Sequence, residues 1–284
     1  MGARLFRSHT PRGRTSVIDL SIISVSWNTA ALLVECVQTI ADGARGLVYE
    51  VIVVDNASAD GSADVIATEF PAAKLICNRE NVGYARGNNQ GLAVSSGRYV
   101  LLLNSDTLVK PQALTQLVEF MDQHSTVGAV SPRLLLPNGE PQAFAFGGDP
   151  SIGYLLKRGV YRLLLRRFIH DWHTTQLQAV DWVSGACLLV RREVIAQVGG
   201  LDENIFMYFE DADWCRRIRL AGWPVMFNPH IEIVHLGGQS LKQNPAARRG
   251  YYRSLDYYYR KHFDPVSRLI LRLAWQPYRW LVRY

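Results

Sequence analysis

The sequence predicts an α/β fold, a mostly parallel sheet flanked by helices with its ligand site at the carboxyl ends of the strands. Two observations predict it. Apolar runs without polar alternation, as in strands buried on both faces, recur at 20–26 (LSIISVS), 50–54 (EVIVV) and 100–103 (VLLL). Each run breaks at an amide or carboxylate: Asn28, Asp55-Asn56, and Asn104 with Asp106. Strand alternating with helix at this spacing implies right-handed crossovers, and open sheets of that kind bind ligands beyond the strands' carboxyl ends.

The elements follow in order. Residues 30–40 have helical spacing, with Leu33, Val37 and Ile40 on one face. The loop DNASADGS (55–62) leads into a helix expected over 62–70, and Lys74–Cys77 reads as a third strand. Residues 85–95 look helical, and 98–103 form the next strand. Pro111 suits a helix start after the turn Asn104-Ser105-Asp106. Residues 17–110 therefore read as a nucleotide-binding half, followed by a second half over 111–245. In the latter, the acidic cluster 210–213 opens an amphipathic helix ending at Gly222, and an apolar stretch over 231–234 ends at His235. Residues 140–180 carry the weakest periodicity.

At 284 residues and 48% hydrophobic, the chain can bury a substantial core. The net charge of +6 is unevenly spread. Arg4, Arg7, Arg12 and Arg14 crowd an arm, 1–16, that has no apolar signal core. A second group lies at 157–167 and a third at 248–283. Such surfaces suit nucleic acid, anionic lipid or anionic substrates, with solvated charge as the bland alternative. The four cysteines form no C-x-x-C pair, which argues for a reducing compartment and against zinc. No apolar run approaches the ~20 residues of a membrane span. The stretch 152–169 instead sets Arg158, Arg162 and Arg166 against leucines, and the tail 246–284 carries Trp275, Tyr278, Trp280 and Tyr284. Both suit peripheral membrane contact, with a packing helix or a homodimer interface as alternatives.

No G-x-G-x-x-G follows the first strand and no G-x-x-x-x-G-K-[ST] occurs, which disfavours dinucleotide and P-loop chemistry. A nucleotidyltransferase would need a Gly-rich, basic start that is missing. A non-catalytic basic module binding nucleic acid or membrane is the reading of another class, with bases stacked on Tyr251, Tyr252 and Tyr257 to Tyr259. Carboxylates at the strand ends repel phosphate unless a metal intervenes, so nucleic acid is not the expected partner. A carboxylate such as Asp106 can hold a divalent cation against a phosphate, although Asn-Ser-Asp also suits a turn or cap.

VDNASADGS (54–62), NRENVGYARGNNQGL (78–92), LLLNSDT (101–107), WVSGACLLVRREVIAQVGGLDENIFMYFEDADWCRRIRLAGW (182–223) and VHLGGQS (234–240) resemble the family 2 glycosyltransferases of GT-A, Rossmann-like fold. Within that family the bacterial rhamnosyltransferase-like subgroup is most similar. The resemblance implies inverting sugar transfer from a nucleoside diphosphate sugar, assisted by Mg2+ or Mn2+, to a glycan or polyprenyl-linked acceptor. It points to a dTDP-linked L-rhamnose donor, with UDP- or GDP-sugars as alternatives, and to work in the cytoplasm at the inner face of the membrane. Asn104-Ser105-Asp106 takes the place of the family's D-x-D motif, with Asn first, so Asp106 supplies the only charge and His235 is implied as the second metal ligand. Asn28, Asp55, Asn81, Gly83, Arg86, Asn104 and Ser105 fall among the implied nucleotide-sugar contacts; for Arg86 a surface salt bridge is an equal alternative. By motif position Asp211 is the implied base and Glu210 the second choice, while Asp213 caps the helix or pairs with Arg216 or Arg217. Trp182, Ser184 and Gly185 are expected to floor the sugar and acceptor pocket, with core packing the alternative for Trp182.

Overall fold

A computed structural model describes residues 17–237 and 245–281, with side chains over 17–237 and 250–274. The arm 1–16, the end of VHLGGQS and the side chains of Trp275, Tyr278, Trp280 and Tyr284 lie outside the described residues. Among them the strands are β1 (Leu20–Ser26), β2 (Tyr49–Asp55), β3 (Lys74–Cys77), β4 (Tyr99–Leu103), β5 (Thr107–Val109), β6 (Ala129–Leu135), β7 (Phe146–Gly147), β8 (Gln178–Ala179), β9 (Trp182–Val183), β10 (Cys187–Arg191) and β11 (Val225–His235). The helices are α1 (Ala30–Gly43), α2 (Ser62–Glu69), α3 (Tyr84–Val94), α4 (Ala113–Gln123), α5 (Ile152–Leu164), α6 (Arg192–Val198), α7 (Glu210–Leu220), α8 (Pro245–His262) and α9 (Pro265–Leu281).

The main sheet runs β3-β2-β1-β4-β10-β6-β11-β5, with β8 on β11. The first four strands are wholly parallel, Leu20 opposite Tyr49 and Ser26 opposite Asp55. Their runs are apolar because both faces are covered: Ile22, Ile23, Ile52 and Leu101 to Leu102 are fully buried. Strand β10 enters antiparallel beside β4 and β6, and β6 then pairs parallel with β11, so the second half is mixed. Helix α3 lies close on β1 because Gly91 has no side chain; a Cβ there would come within 2.4 Å of Ile23.

A second, smaller core joins α8 and α9 to the body. Leu255, Tyr258, Tyr259 and Leu271 pack with Ala212 of α7, and Trp182, Phe209 and Phe263 border them. Fully buried Asp213 fastens this joint, accepting from Arg217 Nε at 2.8 Å on its own helix and from Lys261 Nζ and His262 Nε2 at 2.7 and 2.6 Å on α8. Of the two expected arginine partners, Arg217 thus takes Asp213, while Arg216 pairs with Asp149.

Candidate active site

The carboxyl ends of β1, β2 and β4 converge through side-chain hydrogen bonds. Ser26 Oγ, Thr29 Oγ1 and Ser105 Oγ form a chain with spacings of 2.9 and 3.0 Å. Asn28 sits in a left-handed conformation, accepts from Ala59 N at 2.7 Å and donates its own N–H to Ser58 Oγ, tying the loops after β1 and β2 together. Asp55 is buried; its Oδ2 accepts from Ser58 N, while its Oδ1 has no hydrogen-bond partner. Asn56 donates to Asn81 Oδ1 and Gly83 O, and Asn81 Oδ1 also accepts from Gly83 N. Asn81 and Gly83 therefore shape the entry to α3, whose first amide, Tyr84 N, donates to Phe206 O. Gly83 needs its positive φ of 88°, and a Cβ there would strike Phe206. Arg86 is largely exposed, with Nε 3.9 Å from Glu203, the surface-pair geometry.

Beyond β4 the chain makes a tight turn in which Thr107 Oγ1 donates to Asn104 O. Asp106 and His235 are drawn together because β5 pairs antiparallel with the end of β11, setting Thr107 opposite His235. His235 Nε2 lies 3.1 Å from Asp106 Oδ1 and 3.4 Å from Asn104 Nδ2. Its other nitrogen, Nδ1, is 2.7 Å from Gln142 Oε1, so the ring is held from both sides with Nε2 toward Asp106. An imidazole nitrogen and a carboxylate oxygen this close together are both ligand types for a divalent cation. Among the described residues no third His, Cys, Asp or Glu joins the pair. The residues present thus fit a divalent ion, which Asp106 and His235 would hold with the Asn104 amide beside them.

The acidic cluster lies at the start of α7, behind Tyr208 and Phe209, two consecutive non-glycine residues with φ of 68° and 69°. Held strain of this kind gathers at functional sites. Tyr251 of α8 packs on both rings, at centroid distances of 5.7 and 5.0 Å, and Ser254 Oγ donates to Met207 O. Asp211 Oδ2 accepts from Gly185 N at 3.0 Å and its Oδ1 from Ala212 N at 2.7 Å. Burial pushes its carboxyl pKa up despite these backbone donors. Glu210 is 6% exposed, its Oε2 has no partner, and burial together with the Asp211 charge raises its pKa well above the usual range. Tyr84 Oη donates to Gly185 O.

Residues 185 and 186 connect the two centres. Gly185 N holds Asp211, and the carbonyl of the next residue, Ala186 O, accepts from Asn104 N at 2.9 Å. The carboxylates of α7 and the Asn-Ser-Asp turn are thus neighbours across one peptide segment. Ser184 is spent locally, its Oγ accepting from Ala186 N. Trp182 donates to Gly148 O, covers Gly147 and packs against both cores, the packing geometry. Gln142 and Tyr84 carry parts of the site not singled out from the sequence, and Tyr251, named there for base stacking, packs on the turn before α7 instead. Tyr84 lies inside a quoted motif, whereas Gln142 sits in a weakly patterned segment with no signal of its own.

The model of "Glycosyl transferase family 2" matches residues 21–145, and that of "Glycosyl transferase family group 2" matches 99–282, well over half of the chain. The N-acetylglucosaminyl-diphospho-decaprenol L-rhamnosyltransferase of Mycobacterium tuberculosis is 29% identical over 217 residues, 69% of this chain and 69% of that enzyme. Among solved structures, the mannosyltransferase PcManGT from Pyrobaculum calidifontis, in complex with GDP-Man and Mn2+, superposes with a TM-score of 0.56 at 22% identity over 78% of this chain and 58% of its own. GalNAc-T7 with UDP, GalNAc and Mn2+ does so with 0.60 at 17% identity, over 78% of this chain and 44% of its own. Both solved proteins extend well beyond the matched part and are similar in fold. The sheet order, the strand-end site and the matched family models together establish that this chain belongs to the family 2 glycosyltransferases.

Proposed function

We propose that the chain transfers L-rhamnose, with inversion, from a dTDP-linked donor to a lipid-linked glycan at the cytoplasmic face of the membrane. The observation that supports the catalytic part is the bridge at residues 185–186, which links the Asp211 carboxylate to Asn104 of the turn where Asp106 meets His235. The rhamnose and the lipid-linked acceptor are supported by the mycobacterial relative, whose name specifies both.

Asp211 accepts the acceptor hydroxyl's proton as that oxygen attacks the anomeric carbon. The bond from that carbon to the diphosphate breaks, and the diphosphate leaves on the opposite side. Asp106 and His235, with Asn104, would hold Mg2+ or Mn2+, which neutralises charge gathering on the leaving group. Asp55 Oδ1, a buried acceptor without a partner, suits the imide N–H of a pyrimidine base. Asn28, Ser105, Asn81 and Gly83 shape the loops around the nucleotide, and Ser184 and Gly185 lie on the acceptor side. Trp182 acts by packing behind them, and Arg86 works from the rim. The transferase domain is assigned to 17–245 and a C-terminal helical region to 246–284, with Tyr251 and Ser254 of α8 bracing the turn before α7.

The test is transfer to a polyprenyl diphosphate glycan from dTDP-rhamnose, UDP-glucose or GDP-mannose, with and without Mn2+ or Mg2+. Metal-dependent product from dTDP-rhamnose alone is expected, and product from another donor would replace the sugar assignment. Calorimetry with dTDP, UDP and GDP checks the nucleotide separately. Binding of none of them under any metal condition would defeat the enzymatic reading.

A further inference from the structure

We propose that α5 and α9 together form a docking face for an anionic lipid bilayer. On α5, Leu156, Val160, Leu163 and Leu164 follow each other at one helical face and are 65%, 50%, 81% and 76% exposed. On α9, Val266, Leu269, Ile270 and Leu273 repeat the pattern and are 44% to 65% exposed. The orientation of α9 is fixed from its other side. Leu271 is buried in the second core, and Arg268 and Arg272 both pair with Asp256 of α8. Its apolar stripe is therefore left outward by the packing, and α5 lies against the same helix.

The charge beside the α5 stripe has one sign, whereas Arg268 and Arg272 beside the α9 stripe are paired with Asp256. Lys157, Arg158, Arg162, Arg166 and Arg167 are exposed, and none takes part in an ion pair among the described residues. Helix α5 contains no carboxylate. Arg158, Arg162 and Lys157 lie over the rings of Phe144, Phe168 and Tyr161, contacts that steady the side chains and leave their charge unneutralised. The α5 leucines, flanked on their helix only by cations, complement phosphate headgroups above acyl chains, and the α9 stripe extends their apolar area. Among the described residues no helix is long and apolar enough to cross a membrane, so the contact is with the interface.

The face also adjoins the acceptor side. Ile152 and Leu155 of α5 pack on the second core, which Ala212 joins and Phe209 borders on either side of Glu210 and Asp211. The docking face serves the lipid-linked acceptor proposed above, but its affinity for bilayers is a property of these residues alone.

The test is co-sedimentation of the full chain with vesicles of phosphatidylcholine alone or mixed with phosphatidylglycerol, at low and high salt. Binding to the mixed vesicles only, weakened by salt, is expected. Leu163→Glu with Leu164→Glu, Leu269→Glu with Leu273→Glu, and Arg162→Glu with Arg166→Glu should each lower the vesicle partition by about tenfold or more. All these residues are exposed, so dTDP binding and melting temperature should hold, separating a docking loss from a folding loss or a failed transferase reading. Undiminished vesicle binding by the three variants would overturn the proposal. So would a concentration-dependent dimer of the wild type that the same substitutions dissociate, since a second copy would then occupy the face.

Discussion

Gln142 Oε1 lies 2.7 Å from His235 Nδ1 and thereby holds the ring with Nε2 toward Asp106. Gln142 is itself fixed, its backbone N–H donating to Leu134 O. It is a positioning residue, with no charge and no direct contact to the proposed ion. Gln142→Ala should weaken Mn2+ binding in the presence of dTDP by about 10- to 100-fold, as loss of a partner behind a ligating histidine does. Gln142→Glu, which keeps an acceptor, should recover most of it. Calorimetric titration with Mn2+ checks both, and an unchanged affinity in Gln142→Ala would remove its positioning role.

Asp211→Asn should lower kcat by about 100- to 10,000-fold, the span of a lost general base, while the dissociation constant for dTDP stays within error. The wild-type rate should fall as pH drops through the Asp211 pKa. Because burial raises that pKa, the acid limb should lie above the ordinary carboxylate value of about 4. A full rate in Asp211→Asn would move the base to Glu210, the second candidate.

The parallel half of the fold is legible in the sequence because its signals are local. Buried strands announce themselves as apolar runs: 50–54 was expected and Tyr49–Asp55 formed, and Lys74–Cys77 matches end to end. What required the structure is the joining of segments far apart in the chain. Asp106 was readable as a strand-end carboxylate, but its approach to His235 depends on β5 pairing with β11 across 128 residues, Thr107 to His235. The antiparallel entry of β10 depends likewise on a neighbour that no local pattern names. Asn81 has a polar strand-end signature, yet its carbonyl is occupied by Gly83, because a residue type shows what it can bond and not what reaches it first.

Glu210 should cost stability at neutral and alkaline pH. Its folded pKa lies above its unfolded value, so between the two the native state binds the extra proton, and stability falls as pH rises through that window. Glu210→Gln removes the buried charge at nearly constant shape. It should raise the unfolding free energy at pH 8 relative to the wild type and leave it nearly unchanged at pH 4, below both values. Each tenfold gap in proton affinity contributes about 1.4 kcal/mol. Urea unfolding at the two pH values decides it, and an equal effect at both would mean that the carboxyl stays ionised in the fold.

Tyr251 should act on the rate through the backbone ahead of α7. Tyr208 and Phe209 hold a conformation that costs about 1–3 kcal/mol at each residue unless the surroundings enforce it. Here the enforcement comes from the Tyr251 ring and the Ser254 hydrogen bond to Met207 O. Tyr251→Ala should relax the turn, misplace Asp211 and reduce kcat by about tenfold or more, since small displacements of a reacting group are costly. Asp55, Asp106 and His235 stand on other elements, so dTDP and Mn2+ affinities should be kept. Tyr251→Phe preserves the ring contacts and should keep the rate. A parallel loss in Tyr251→Phe would assign the effect to the hydroxyl, and an unaltered kcat in Tyr251→Ala would show that the turn holds itself.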